Sequence, residues 1–195
     1  MSIEFGIAET PEDLEEIYKI REKVFQEEDG YPPEAIKSRF DSTATHFLAK
    51  VNKKLVGSIM VILDSDKGLP LGDKIDLSPY RDKLIAELAK LAVLPEERKK
   101  NVSLGLMVLA YEFAKEKGAK KICLISLEKK TENYKLYKKF GFKTIGKFNF
   151  FNIDNAYGMI LDLDESIYEK VSKRNTRRDL LAKRLSQKLS LILGE

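Results

Sequence analysis

The sequence has few of the residues that build disulfides and metal sites. Its 195 residues include one cysteine, Cys123, one histidine, His46, and no tryptophan. A single cysteine excludes an intrachain disulfide and a cysteine-ligated zinc site, and a single histidine argues against a histidine-ligated metal. No apolar run reaches the ~20 residues that span a bilayer, and the first residues lack the basic-then-apolar layout of a signal peptide. We therefore expect a cytoplasmic protein without a metal.

Excess charge of one sign is confined to the end of the chain. The formal net charge is +4, and residues 165–195 alone hold eight Lys or Arg against four Asp or Glu. The rest of the chain is neutral and has no basic face with interleaved aromatic residues. We therefore expect no nucleic-acid partner.

The basic tail has the apolar periodicity of an amphipathic helix. Leu181, Leu185, Leu189 and Ile192 recur at helical spacing beside Lys and Arg residues. We expect a domain at residues 1–164 followed by this helical extension at residues 165–195. Three interpretations of the helix stay open: packing on its own domain, a homodimer contact, or a basic face for an acidic carrier protein or an anionic membrane. Membrane contact is the least expected of these.

The rest of the chain predicts a single domain of strands and helices. Thr10-Pro11 is typical of a helix start, and the apolar residues after it have helical spacing. Residues 52–54 predict a hairpin loop, and residues 64–82 a long polar connection of a kind that is often functional. The expected strands are 3–8, 46–51, 55–63, 83–94, 120–127, 142–150 and 156–163, and the later helices are 102–117 and 131–140. The fold class is α/β or α+β, with a mixed sheet and helices on both faces.

The segment at residues 91–103 has the pattern of an anion site. An apolar strand ends at Pro95, and a polar loop leads from there into the start of a helix. Free backbone N–H groups and the positive end of the helix dipole attract anions at such a position. Arg98, Lys99 and Lys100 add positive charge where a diphosphate would lie. An ordinary strand-to-helix connection with solvated charges is an equally good interpretation of this segment taken alone.

This segment resembles the coenzyme A site of the GNAT superfamily of acyltransferases. GNAT enzymes carry a strand ending in Val-x-Pro and then an Arg/Gln-x-x-Gly-x-Gly/Ala loop, and here these read Val93-Leu94-Pro95 and Arg98 to Ser103. The resemblance implies a mainly antiparallel sheet. It also implies a donor site formed by Leu91, Ala92, Val93, Arg98, Lys99, Lys100, Asn101, Val102 and Ser103. Asn101 and Ser103 replace small family residues, and Asn tolerates the left-handed backbone that Gly provides.

A second GNAT motif lies downstream, at residues 133–142. Asn133 begins the run, and Tyr137-Lys138-Lys139-Phe140-Gly141-Phe142 closes it in the manner of the family's Tyr-x-x-x-Gly-Phe. The resemblance implies that Asn133 contacts the pantetheine arm and that Tyr137 protonates the departing thiolate. The alternative is that Tyr134 and Tyr137 only pack.

Three shorter segments resemble a narrower branch, the acyl-homoserine-lactone synthases and the related N-acyl amino acid synthases. They are Arg21-x-x-x-Phe25, Phe40-Asp41 and Glu87 to Val93. Enzymes of this branch commonly take acyl chains from acyl carrier protein. The resemblance implies that substrate is bound by Arg21, Phe25, Asp41 and Lys90. Lys90 stands where the branch has Arg, which removes bidentate carboxylate recognition and argues against lactone chemistry.

Glu87 is the candidate catalytic base. An acidic residue in an apolar strand is costly unless it is paired or useful. Burial would raise its pKa toward a value suited to taking a proton from an ammonium group. The alternative is a structural ion pair with Arg21 or Lys90. Strand alternation places Glu87, Ala89 and Leu91 on one face and Leu88, Lys90 and Ala92 on the other.

The sequence therefore predicts an acyltransferase. We expect transfer of an acetyl or longer acyl group from acyl-CoA to the primary amine of a small molecule, by direct attack and without a metal. A backbone N–H near Val93 would hold the oxyanion. Cys123 and His46 are expected to be structural. Two alternatives stay open: an N-acyl amino acid synthase using acyl carrier protein, and a non-catalytic module that binds an acyl thioester or a partner.

Overall fold

Local sequence signals set most of the element boundaries. The computed structural model describes residues 3–163, apart from the side chains of Lys99 and Lys100. Its strands are β1 (Ile3–Ile7), β2 (Thr45–Val51), β3 (Lys54–Leu63), β4 (Ile85–Val93), β5 (Lys121–Leu127), β6 (Lys143–Phe150) and β7 (Asp154–Asp162). Its α-helices are α1 (Pro11–Arg21), α2 (Val102–Glu116) and α3 (Thr131–Phe140), and a π-helix, Glu22–Glu28, continues α1.

The helix ends follow the expected capping chemistry. The Thr10 hydroxyl accepts a hydrogen bond from the Asp13 N–H at 3.1 Å, and Pro11 is the first residue of α1. Gly141 ends α3 with a φ of 100°, a left-handed conformation in which glycine carries no Cβ penalty. The predicted bounds of α3 are thereby confirmed.

The seven strands of the described residues belong to one sheet, in the order β1-β2-β3-β4-β5-β7-β6. The pairs β1–β2, β2–β3, β5–β7 and β6–β7 are antiparallel, so the predicted mainly antiparallel sheet is confirmed. The β2–β3 hairpin has a shorter loop than predicted, because Lys54 already belongs to β3. Asn52 and Lys53 adopt φ values of 50° and 68°, as a two-residue turn between twisted strands requires.

The described residues fall into two compact units. The first contains residues 3–62 and 88–113, and its core includes Ile17, Phe47, Ile59, Leu106 and Leu109. Phe47 and Phe113 pack edge to face there, with ring centroids 5.3 Å apart. The second contains residues 63–87 and 114–163, and its core includes Leu69, Leu71, Leu77, Leu124 and Met159.

The connection before β4 is less polar than the sequence suggested. It contains two short 3-10 helices, Leu71–Asp73 and Ser78–Tyr80. Leu69, Leu71 and Leu77 are buried, with exposures of 2% or less. Three leucines in one connection fix its path, because each removes apolar surface from water.

Two paired glycines receive the side chain of Ile75 from this connection. Gly146 of β6 lies opposite Gly158 of β7 in the ladder. A Cβ atom on either glycine would come within 2.7 Å or 2.4 Å of the Ile75 Cδ1 atom. A Cβ on Gly158 would also lie 2.9 Å from Leu71 Cδ1. Because Gly146 and Gly158 have no side chains, they leave the space that Ile75 occupies, and Ile75 anchors the connection there.

The predicted extension at residues 165–195 and its helix lie outside the described residues, and so does the predicted domain boundary. No helix in the described part is long and apolar enough to cross a membrane.

We expect Gly158→Ala to destabilise the protein by about 1–3 kcal/mol, because the new methyl group must displace Ile75 and the fully buried Leu71. Urea unfolding would measure the loss. Gly6→Ala is the matched control, because its Cβ would meet Leu48 at an ordinary 3.6 Å. Equal stability of the two variants would contradict this account of the anchor.

Candidate active site

Glu87 is a fully buried carboxyl group on β4. Its exposure is 0%, and its Oε2 atom accepts a hydrogen bond from the Leu71 backbone N–H at 2.8 Å. Its Oε1 atom has no hydrogen-bond partner among the described residues. Burial raises the pKa of Glu87 to about 8, the Leu71 bond opposes this, and the charges of Asp73 and Asp64 add to it. Such a group gains and loses a proton near neutral pH, as a general base must.

Cys123 lies against this carboxyl group. Its thiol donates to Glu87 Oε2 across 3.9 Å, and the residue is fully buried. Burial and the neighbouring Glu87 raise the pKa of the thiol well above its usual value. A thiol held in its protonated form is a poor nucleophile. The expectation that Cys123 is a core residue is confirmed.

A second buried polar cluster joins Arg21, Asp41 and His46. Arg21 is 0% exposed, and its NH1 atom donates to Asp41 Oδ1 at 2.6 Å and to the Ile36 carbonyl at 3.1 Å. The second Asp41 oxygen accepts from the Ser38 N–H at 2.5 Å and from the Ser38 hydroxyl at 2.9 Å. Burial opposes ionisation of Asp41, yet the charge and hydrogen bonds of Arg21 and those of Ser38 lower its pKa. Arg21 and Asp41 therefore form a buried pair in which both side chains are ionised.

His46 links the two ends of this cluster. Its Nδ1 atom lies 3.1 Å from Arg21 NH2, and its Nε2 atom lies 3.0 Å from the Asp41 carbonyl oxygen. A guanidinium only donates and a carbonyl only accepts, so the ring is neutral with its proton on Nε2. Burial, with the charges of Arg21 and Lys90, lowers the pKa of His46 against the pull of Asp41. His46 is buried and bonded at both ring nitrogens, which supports the predicted structural role, and its Nδ1 atom accepts from Arg21.

Lys90 brings a second cation to the same unit. Its Nζ atom donates to the carbonyls of Ala35 at 2.6 Å and Ile36 at 3.2 Å. Burial and then the charge of Arg21 lower its pKa to about 8. While Lys90 is protonated, Arg21 and Lys90 together carry one positive charge more than Asp41.

Two expectations about β4 need correction. The strand alternation is interrupted at Lys90, which adopts a φ of 51°, and Ala89, Lys90 and Leu91 are all half-buried rather than alternating. The structural ion pair of Glu87 with Arg21 or Lys90 is not found among the described contacts. Arg21 bonds Asp41, Lys90 bonds two carbonyls, and Glu87 bonds the Leu71 N–H.

The predicted donor loop has the expected backbone. Asn101 adopts φ 64° and ψ 13°, the left-handed conformation that its side chain tolerates. Its carbonyl accepts from the Gly105 N–H at 3.0 Å, so α2 begins directly after it. The N–H groups of the first turn, at Val102 and Ser103, therefore have no partner within the helix. The side chains of Lys99 and Lys100 lie outside the described part of the chain.

Arg98 was predicted to lie beside a diphosphate, and in the structure it is hydrogen-bonded to the Glu28 carboxylate. Its guanidinium donates to both oxygens of Glu28, at 2.7 and 2.5 Å, and its Nε atom donates to the Val93 carbonyl at 3.1 Å. No sequence pattern marks this pairing, because Glu28 lies at the end of the π-helix, 70 residues before Arg98.

The remaining predicted site residues lie on three elements: α3, the π-helix and β4. Asn133 is exposed near the start of α3, and Tyr137 is buried on the same helix with its ring 5.8 Å from Phe142. Burial raises the pKa of Tyr137 to about 12, so its hydroxyl keeps its proton. Phe25 is half-buried in the π-helix, and Leu91, Ala92 and Val93 end β4. No group of residues in the described part could hold a metal ion.

Known proteins share this fold and family. A family model described as N-acyl amino acid synthase FeeM matches residues 16–159. The solved structure of FeeM, an N-acyl amino acid synthase from uncultured soil microbes, is 23% identical. The alignment covers 87% of this chain and 98% of that chain, with a TM-score of 0.72. No curated protein matches the sequence.

Two further solved structures with this fold contain acetyl-CoA or CoA. The Arabidopsis thaliana NAA60 structure, in complex with acetyl-CoA, is 16% identical over 84% of this chain and 99% of that chain, with a TM-score of 0.63. A Bacillus subtilis acetyltransferase in complex with CoA is 19% identical over 83% and 99%, with a TM-score of 0.57. These likenesses confirm the GNAT fold that the sequence motifs predicted.

We expect Asp41→Ala to cost about 3–5 kcal/mol, because it leaves the buried charge of Arg21 without its partner. Chemical denaturation monitored by circular dichroism would measure the loss. Glu15→Ala is the control, since its ion pair with Lys37 is largely exposed and should contribute little. A cost for Asp41→Ala no larger than for the control would contradict the assignment.

Proposed function

The chain belongs to the N-acyl amino acid synthase FeeM family, and on that premise we propose that it transfers an acyl group from a pantetheine thioester to the α-amine of an amino acid. The family and fold make it an N-acyltransferase of the GNAT type. The donor, the acceptor and the residue roles are the parts we propose. The observation that carries the proposal is the buried Glu87 carboxyl, with a pKa near 8 and one unpartnered oxygen.

Glu87 is the proposed base. An amino acid carries its amine as an ammonium ion near neutral pH, and only the neutral amine attacks a carbonyl. Glu87 takes the ammonium proton, directly or through a water molecule. The amine nitrogen then forms a bond to the thioester carbon, and the carbon–sulfur bond breaks as the tetrahedral intermediate collapses. The nitrogen loses its second proton in this step, and that proton replaces the one that Tyr137 gives to the thiolate. No covalent enzyme intermediate is needed.

Tyr137 is the proposed acid. Its pKa of about 12 keeps the hydroxyl protonated at any physiological pH, so it has a proton to give to the departing thiolate. The N–H groups at the start of α2 and the left-handed turn at Asn101 are the proposed contacts of the donor's phosphate. A backbone N–H near Val93 is the proposed oxyanion donor.

The cationic cluster is the proposed acceptor site. While Lys90 is protonated, below its pKa of about 8, Arg21 and Lys90 exceed Asp41 by one positive charge, which favours an acceptor that carries a carboxylate. Lys90 is the member with exposed surface, and it binds a carboxylate as a point charge instead of in a fork. Phe25, on the π-helix that follows Arg21, is a proposed apolar contact.

An acyl-transfer assay with three donors and two acceptors, tested in every combination, tests the proposal. Acetyl-CoA, a long-chain acyl-CoA and a long-chain acyl carrier protein would each be offered with an amino acid and with the amine that lacks its carboxylate. We expect transfer of the long chain to the amino acid and at least tenfold slower transfer to the decarboxylated amine, because the cluster favours a carboxylate. Preference for acetyl-CoA with a simple amine would instead indicate a small-molecule acetyltransferase.

We expect Glu87→Gln to lower kcat about 10²–10⁴-fold, since it removes the base without changing the shape of the side chain. Tyr137→Phe should also lower kcat, whereas Tyr134→Phe on the same helix should not. Full turnover by Glu87→Gln would contradict the assignment of the base. Mass spectrometry of the amide product provides the measurement.

A further inference from the structure

Glu28 holds the only predicted phosphate-binding arginine of the donor loop. The two Glu28 oxygens accept from the two terminal nitrogens of Arg98, in the planar fork that a phosphate would otherwise occupy. The third donor, Nε, is used by the Val93 carbonyl at 3.1 Å. All three nitrogens of the guanidinium therefore already have acceptors.

The acidic surroundings of Arg98 extend beyond this pair. The hydrogen bond from Arg98 to Glu28 is the main reason that the pKa of Arg98 is raised, and the charges of Glu28, Asp29 and Glu96 add to it. A diphosphate that approached Arg98 would meet these carboxylates as like charges. Repulsion between these carboxylates and a diphosphate disfavours ligands that carry a diphosphate, and such repulsion is a source of binding specificity.

The backbone holds Glu28 at this place. It is the last residue of the π-helix, and the chain then turns at Gly30, which has a φ of 74°. The Asp29 N–H bonds the Val24 carbonyl at 3.2 Å, and the Tyr31 N–H bonds the Phe25 carbonyl at 2.8 Å. These bonds tie the backbone after Glu28 to carbonyl groups before it, so the turn that carries Glu28 is held in one conformation.

We propose that Glu28 is a donor-specificity residue that selects against donors carrying a diphosphate. Coenzyme A must displace Glu28 from Arg98 before its diphosphate can use the fork. A pantetheine arm attached to a carrier protein has a single phosphodiester and no adenosine diphosphate, so it does not have to compete in this way. This inference rests on the proposed function only in taking a pantetheine thioester as the donor, and it favours the carrier-bound form.

A double-mutant cycle on ligand binding tests the inference. Calorimetric titration with coenzyme A would be performed on the wild type, Glu28→Gln, Arg98→Gln and the double variant. We expect Glu28→Gln to tighten coenzyme A binding by roughly two- to fivefold, the range of one partly exposed ion pair. The gain should vanish in the Arg98→Gln background, because Glu28 acts through Arg98. Pantetheine, which has no phosphate, should bind equally to all four proteins.

Glu27→Gln is the matched control, because it removes an equal charge from the neighbouring, exposed position. Three results would overturn the inference: an unchanged coenzyme A affinity in Glu28→Gln, an equal gain with Arg98 absent, or an equal gain in Glu27→Gln. Binding is read without turnover, so failure of the proposed acyl transfer shows separately, as absence of amide product with every donor. If no variant binds coenzyme A, Glu28 is not the limiting feature and the inference is wrong.

Discussion

The burial of one carboxyl group is the constraint on which the rest of the account depends. Glu87 lies in a fully buried position of β4 with a single backbone hydrogen bond and one oxygen without a partner. Burying a carboxyl group with so few hydrogen bonds lowers the free energy of unfolding, and ionising the buried group lowers it further. The fold accepts this cost by holding the group neutral up to a pH of about 8. The same cost makes Glu87 a base whose proton affinity suits an amine substrate.

Each compact unit holds its buried charged groups in its own way. The Leu71 N–H that bonds Glu87 lies in a connection fixed by three buried leucines and by Ile75, which fills the space above Gly146 and Gly158. In the other unit, His46 and Ser38 hold Arg21 and Asp41 in one geometry, so that the cationic surplus of the cluster is preorganised. The protein thus buries ionisable groups in two ways. The Glu87 carboxyl has no charged partner and is held neutral, whereas Arg21 is charged and paired with Asp41.

The sequence predicted what depends on local signals and on linear motifs. Helix α3 and the cap at Thr10 follow from neighbouring residues, and Asn101 adopts the left-handed backbone that its residue type allows. The sequence could not predict contacts between distant segments. Glu28 and Arg98 are 70 residues apart, and Leu71 and Glu87 are 16 apart through a connection without periodicity. The predicted alternation of side chains along β4 was wrong beyond Ala89, because the residue types do not indicate that Lys90 has a positive φ.

The pH dependence of kcat, measured with two acceptors whose amines differ in pKa, tests the role of Glu87 most directly. Glu87 must be ionised to accept a proton, so kcat should rise with pH and level off above the pKa of about 8. The midpoint should be the same for both acceptors, because the titrating group belongs to the protein. A midpoint that moves with the pKa of the acceptor amine would contradict the account, because the enzyme would then select an amine that is already neutral.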